Sequence, residues 1–146
     1  LAKMKEETQP STKEDEQAIN QITAQFFDLF TNTNNQIPNI QRIEDFFLPQ
    51  GIIINNTEDP PAIYDLENFI KPREEILTNG TLTNFSEWEV SHQTTILGNI
   101  ATRICHYEKS GELNGQYFEV QGKKMMQFIK IKGRWVLSSV VWSDRK

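Results

Sequence analysis

Cysteine is nearly missing from this chain of 146 residues, with a single one at Cys105. One thiol cannot close an intrachain disulfide, and cysteine-only zinc sites are excluded with it. Histidine is also scarce, with two, and glycine and proline number only seven and six. No apolar run approaches the roughly 18–20 residues that cross a bilayer as a helix. Positive charge is outnumbered, 15 Lys and Arg against 20 Asp and Glu, for a net −5. A nucleic-acid binder would show a basic stripe, and none is visible. Gly-x-Ser-x-Gly elbows, phosphate loops and dinucleotide fingerprints do not occur, which leaves nucleophilic catalysis and nucleotide binding without support.

What is present is one domain's worth of patterned chain. Residues 1–11 are polar and aperiodic and read as a disordered arm, with a single domain over 12–146. The chain starts at Leu1, so a removed signal peptide is compatible with an otherwise cytoplasmic reading. Thr12 followed by Asp15, or Ser11 followed by Glu14, has the spacing of a capping box. Ile19, Ile22, Phe26, Leu29 and Phe30 then recur at helical spacing. Pro38 opens a second, short helix carrying Ile40, Ile43, Phe46 and Phe47. A turn at Pro49-Gln50-Gly51 leads into a short buried strand, Ile52-Ile53-Ile54. Asp65 caps a third helix with Leu66, Phe69, Ile70, Ile76 and Leu77, in which Pro72 predicts a kink or two stacked pieces.

From Leu82 the period changes to two. Breaks at 97–99, 110–115 and 132–133 divide four long strands, 84–96, 100–109, 116–131 and 134–142. Gly122 predicts a bulge in the third. The last two strands are apolar on both faces, Met125, Ile129, Val136 and Val140 on one and Phe128, Leu137 and Val141 on the other. The face turned from the helices needs a cover, and a second copy's sheet is the simplest one.

Three helices with an inserted short strand, then a long meander ending in Gly133-x-Trp135 and Val141-Trp142, resemble the nuclear transport factor 2-like superfamily. That group includes ketosteroid isomerase and SnoaL-like cyclases. The resemblance covers nearly all of the chain and implies an α+β, cystatin-like fold. In it a cone-shaped roll of curved antiparallel sheet, four long strands plus a short one, packs on three N-terminal helices. It also implies a homodimer through the outer sheet face and a cavity at the mouth of the cone.

Strand alternation then nominates Gln127, Ser138 and Trp142 for the cavity, in company with Met125, Ile129 and Val140. His92 belongs to one face of the first long strand; Arg103 and Tyr107 share a face of the second. Phe26, Phe30, Asn56 and Tyr64 complete the lining. Ketosteroid isomerase places a carboxylate base after the short strand and before a proline, and Glu58-Asp59-Pro60 repeats that local pattern. Asp59 is therefore the candidate catalytic base. The isomerase's tyrosine position falls on Phe26 and its strand acid on Gln127, neither able to serve as the original does.

Arg103 sits in a mostly apolar strand, where an unpaired guanidinium would be costly. Either a carboxylate such as Glu89 or Glu119 pairs with it, or it waits for an anionic ligand. Cys105 reads as a buried small hydrophobe. A metal site would need His92 and His106 to converge with carboxylates, and structural roles are favoured for both; no metal or cofactor is expected. The leading expectation is a binder of a small, partly apolar organic ligand. The rivals are a SnoaL or isomerase-type enzyme moving a proton beside a carbonyl, and a structural module whose cone is filled by its own side chains.

Overall fold

The computed structural model describes residues 11–145, so nearly all of the expected N-terminal arm lies outside the described residues. Helix α1 (Lys13–Asp28) starts as the sequence implies. The Thr12 hydroxyl accepts the Asp15 N–H, and the Asp15 carboxylate accepts the Thr12 N–H in return. Its buried face carries Ile19, Ile22, Phe26 and Phe27. The expected second helix is a 3-10 segment, Ile40–Asp45, which buries Ile40 and Ile43. Helix α2 (Leu66–Thr78) runs through Pro72 as one element. Proline there removes one backbone donor, and burial of Phe69, Ile70 and Leu77 holds the helix across it.

Among the described residues six strands form a single sheet: β1 (Phe47–Asn55), β2 (Ala62–Tyr64), β3 (Leu82–Leu97), β4 (Ile100–Leu113), β5 (Gln116–Ile131) and β6 (Arg134–Asp144). Their spatial order is β2-β1-β6-β5-β4-β3, with β1 parallel to β6 and every other pair antiparallel. The fold is thus the α+β arrangement of helices on a curved sheet. Strand β1 is longer than its isoleucine triplet, because it starts at Phe47 and takes Pro49 into an irregular stretch. Strand β4 runs on to Leu113, so the hairpin is only Asn114-Gly115, both at positive φ. That is the combination a two-residue hairpin of primed type requires.

Bulges decide which side chains face the helices. None occurs at Gly122, which pairs regularly with Tyr107 and Asp144. One instead falls at Ser138, where Gln127 and Phe128 pair with Ser139 and Leu137. Inward residues on β6 are therefore Trp135 and Leu137 before the bulge and Val140 and Trp142 after it. On β5 the inward set is Lys124, Met126 and Phe128, while Met125 and Gln127 face outward. The expected grouping of Met125, Gln127, Ile129 and Ser138 with the cavity is corrected by this register. Both parities of β5 are apolar, so alternation alone could not separate them.

On β3 two further bulges matter. The ladder slips between Thr83 and Ser86, with Asn84 at positive φ, and again between Glu89 and Ser91. The buried Asn32 amide secures the first one. It donates to the Leu77 and Leu82 carbonyls at 2.9 and 2.8 Å and accepts the Phe85 N–H at 2.7 Å.

The outer face carries two uncharged rows across the sheet. Ile54, Val141, Met125 and Ile104 stand in register, and beside them Ile52, Ser139, Gln127 and Thr102. Ile104, Met125 and Ile52 are each more than two-fifths exposed. No helix of the described residues is long and apolar enough to cross a membrane.

Candidate functional site

The helices and the inner sheet face do not close completely. Between them lies a cavity of about 350 Å³, walled by α2, the turn after α1, and the inward side chains of β3 to β6. One wall is aromatic: Phe26, Phe30, Phe69 and Trp142 meet edge to face with ring centres 5.5, 5.8 and 6.4 Å apart. Edge-to-face contacts of this kind add about 0.5–1.5 kcal/mol each beyond area burial, so the wall is stiff. Phe85, Phe118 and Leu113 form the opposite side.

Polar groups enter this apolar space at defined points. Lys124, only 3% exposed, reaches inward from β5 and pairs with Glu87 of β3 at 2.8 Å. Its ammonium also stands 4.6 to 5.4 Å from the rings of Phe27, Tyr107, Phe26 and Trp142. A buried ion pair must overcome the cost of desolvating both charges, and the surrounding ring faces assist the ammonium. Arg73, on α2, stacks 4.0 Å over the Phe69 ring, one helical turn earlier, with Tyr64 at 4.9 Å. Burial draws the Arg73 guanidinium below its ordinary value, an effect that Tyr64 and Glu87 oppose. Lys109 reaches the cavity from β4 and is held by Asp144 at 3.0 Å. Asp144 also accepts the Tyr107 hydroxyl at 2.5 Å.

Three of the sequence-nominated residues line the cavity: Phe26, Phe30 and Trp142. Tyr64 backs it through Phe69 and Arg73. Tyr107 is buried beneath Lys124, and burial followed by the Asp144 carboxylate raises its phenol. Asn56 gives its backbone N–H to the Trp142 carbonyl, while its neighbour Asn55 lines the cavity. Gln127 and Ser138 lie away from the cavity lining, for the register reason given above. Asp59 is solvent-exposed in the β1–β2 connection and does not line the cavity, which leaves it no substrate to act on there. The isomerase spacing fails because β1 ends at Asn55, so the position counted from the strand falls on Asn56 and Asp59 comes three residues later in the loop.

Arg103 is the case in which the sequence left two readings, and the ion pair is the observed one. Its Nε and Nη2 donate to the two Glu89 oxygens at 2.9 and 2.7 Å, and Nη1 donates to Asn20 and Thr94. This fork ties β4 to β3 and to α1, away from the cavity. Burial works against the Glu89 charge, but the bonds from Arg103 outweigh it and hold the carboxyl below its usual range. Glu89→Gln is expected to cost about 2 kcal/mol of unfolding free energy by urea titration, since one charge-assisted bond is lost beside a buried guanidinium. An unchanged midpoint would show that Arg103 finds another partner.

His92 is exposed and sits opposite inward Cys105, whereas His106 contacts Ser91 on the outer face. The two rings thus stand on opposite sides of the sheet, and among the described residues no cluster of metal-ligating side chains forms. Cys105 is fully buried against Met126, and burial pushes its thiol up to about 12. Alternation missed Arg73, Glu87 and Lys124. Arg73 had a readable signal, a cation four residues after an aromatic on the apolar side of a helix.

No protein-family model and no curated protein matches the chain. Solved structures do. A nuclear transport factor 2-like superfamily protein from Salmonella enterica serovar Typhimurium superposes with a TM-score of 0.75 at 13% identity, over 93% of this chain and 94% of its own. An uncharacterised Caulobacter vibrioides protein with a cystatin-like fold gives 0.70 at 13%, over 91% of both chains. A hexachlorocyclohexane dehydrochlorinase, LinA type 2, gives 0.72 at 12%, over 91% and 86%.

Proposed function

We propose that this chain, which has the nuclear transport factor 2-like fold, binds a small, partly apolar molecule in the cavity between α1, α2 and the inner sheet face, as a cytoplasmic homodimer. The observation that carries the reading is the cavity itself. Phe26, Phe30 and Trp142 are large enough to plug the cone, yet they stack into its wall and leave about 350 Å³ between them and Phe85 and Phe118. That volume falls within the range of small-molecule sites, which are mostly apolar with a few placed polar groups. A structural module would fill such a space, because empty apolar volume in a core is destabilising.

The likeness to a dehydrochlorinase keeps proton abstraction in view as the enzymatic alternative, in line with the SnoaL and isomerase resemblance. Glu87 is the carboxylate that lines the cavity. Its Oε2 is engaged by the Lys124 ammonium at 2.8 Å, so proton abstraction there would have to use Oε1.

The uncharged rows through Met125 and Ile104 support pairing of two copies across their sheets. Native mass spectrometry of the untreated purified protein tests both parts. A dimer carrying a small added mass, released on denaturation, is the expected spectrum. A monomer at high concentration would remove the assembly, which Met125→Lys is expected to abolish in any case. Protein that carries nothing, and takes up none of a panel of small aromatic and aliphatic compounds, would remove the binding function.

A further inference from the structure

The charges around the cavity do not cancel. Among the described residues Arg73, Lys109 and Lys124 line it against a single lining carboxylate, Glu87. Lys124 is matched by Glu87 at 2.8 Å and Lys109 by Asp144 at 3.0 Å. Arg73 is the remainder, with only Tyr64 and the Glu87 charge, already engaged by Lys124, acting on it. Among the described residues no carboxylate makes an ion pair with it. Its Nη1 donates to the Phe69 carbonyl at 3.5 Å, a long bond at the limit of such contacts.

The geometry of that remainder is specific. One face of the guanidinium is covered by the Phe69 ring at 4.0 Å, with the Tyr64 and Trp142 rings at 4.9 and 5.9 Å. Stacking uses the face of the group and leaves its N–H edge for hydrogen bonds. That edge is a fork that matches a planar carboxylate through two parallel bonds. Two of the rings that hold it, Phe69 and Trp142, are also cavity wall, so the charge is fixed where an apolar body would lie.

Resting on the binding reading above, we propose that the occupant is an amphipathic monocarboxylate, its head group on Arg73 and its aromatic or aliphatic body between Phe30 and Phe118. The uncompensated charge is one. A phosphate monoester carries about −1.5 to −2 at neutral pH and would leave surplus negative charge beside Glu87. The body is bounded by the volume, which equals the liquid share of about a dozen waters. A single ring with a short chain, or a medium-length alkyl chain, fits that space.

The test compares acids with their neutral isosteres. Phenylbutanoate and octanoate, and the primary amide of each, are titrated into the full chain at neutral pH by calorimetry. Each acid is expected to bind about tenfold or more tighter than its amide, the order of one charge-assisted contact. In Arg73→Gln the preference of the protein for each acid over its own amide is expected to disappear; Arg73→Lys restores part of the preference. Acid and amide binding equally to the unaltered protein would overturn the head-group assignment while leaving the binding function in place. Neither class binding would overturn both. A preference that survives in Arg73→Gln would overturn Arg73 as the anchor. The comparison in the unaltered protein needs no variant to fold, so the inference remains open to refutation even if Arg73→Gln is unstable.

Discussion

Gly122→Val is expected to remove about 4 kcal/mol of stability or more, towards the upper end of what overpacking does to a closed core. Gly122 lies opposite Tyr107 on one side and Asp144 on the other. A Cβ built there would run into the Tyr107 ring and hydroxyl and into the Ser143 carbonyl oxygen. None of these can yield cheaply. The tyrosine is 1% exposed, its hydroxyl is bound to Asp144, and the Lys124 ammonium sits 4.8 Å from its ring. The carbonyl belongs to the adjoining strand. Glycine is therefore demanded by a ring laid across the backbone, not by a positive φ, and the sequence suggestion of a bulge mistook one reason for the other. Urea denaturation of Gly122→Ala and Gly122→Val, alone and with Tyr107→Leu, measures the effect. The double variants should cost well under the sum, since contacting residues couple by about 0.5–3 kcal/mol. A cost below about 1 kcal/mol for Gly122→Ala would mean that the ring tilts away freely.

The second large effect belongs to Asp15. This one carboxylate closes the capping box of α1 and also accepts bonds from Trp135 Nε1 at 2.9 Å and Lys130 Nζ at 3.0 Å. Trp135 first, then Lys130 and the Thr12 backbone, hold it far below the usual carboxylate range. A lowered folded-state pKa means that the stabilisation is complete above the unfolded value, about 3.9 for an aspartate. It is lost as pH falls from there through the folded value. Asp15→Ala is expected to cost about 3 kcal/mol at neutral pH, from a lost cap of about 1 and an indole donor and an ammonium left without their acceptor. The unaltered protein and Asp15→Asn should converge in stability as pH drops below about 4. Parallel curves down to the lowest measurable pH would show that Asp15 does not stay ionised in the folded state.

How much of this could be read from residues alone depends on how many signals agreed at each place. The capping box of α1 was legible because Thr12, Asp15 and the apolar spacing after them all point the same way. The hairpin at Lys132-Gly133 was legible for the same reason. Strand β5 was not, because Met125 and Met126 compete for the core and the true inward set contains a lysine. Hydrophobic alternation rejects Lys124 from the core, and only Glu87, 37 residues earlier and beyond the reach of any local rule, reconciles the two. Arg103 was legible as a problem that needed a carboxylate, and Glu89 was one of the two candidates named. The cavity was half legible. Its aromatic wall follows from helical spacing, whereas its charges depend on the bulges at Ser138 and near Asn84 and Val90, which turn individual side chains without leaving a strong mark on composition.

The parallel pairing of β1 with β6 has a consequence for how the chain reaches this state. Sheet growth along β3 to β6 proceeds by neighbouring hairpins, whose closure involves short loops. The seam between β1 and β6 joins residues such as Ile53 and Val140 from opposite ends of the domain, and the Trp135–Asp15 bond spans 120 positions. Contacts of that separation are slow to form because the loop entropy must be overcome before they contribute. During synthesis the N-terminal half therefore emerges with its apolar helix faces and the β1 edge unmatched, and stays so until the final strand leaves the ribosome. A domain built this way is completed from β6 backward, and α1, made before every strand of the sheet, is among the last elements to acquire its partners.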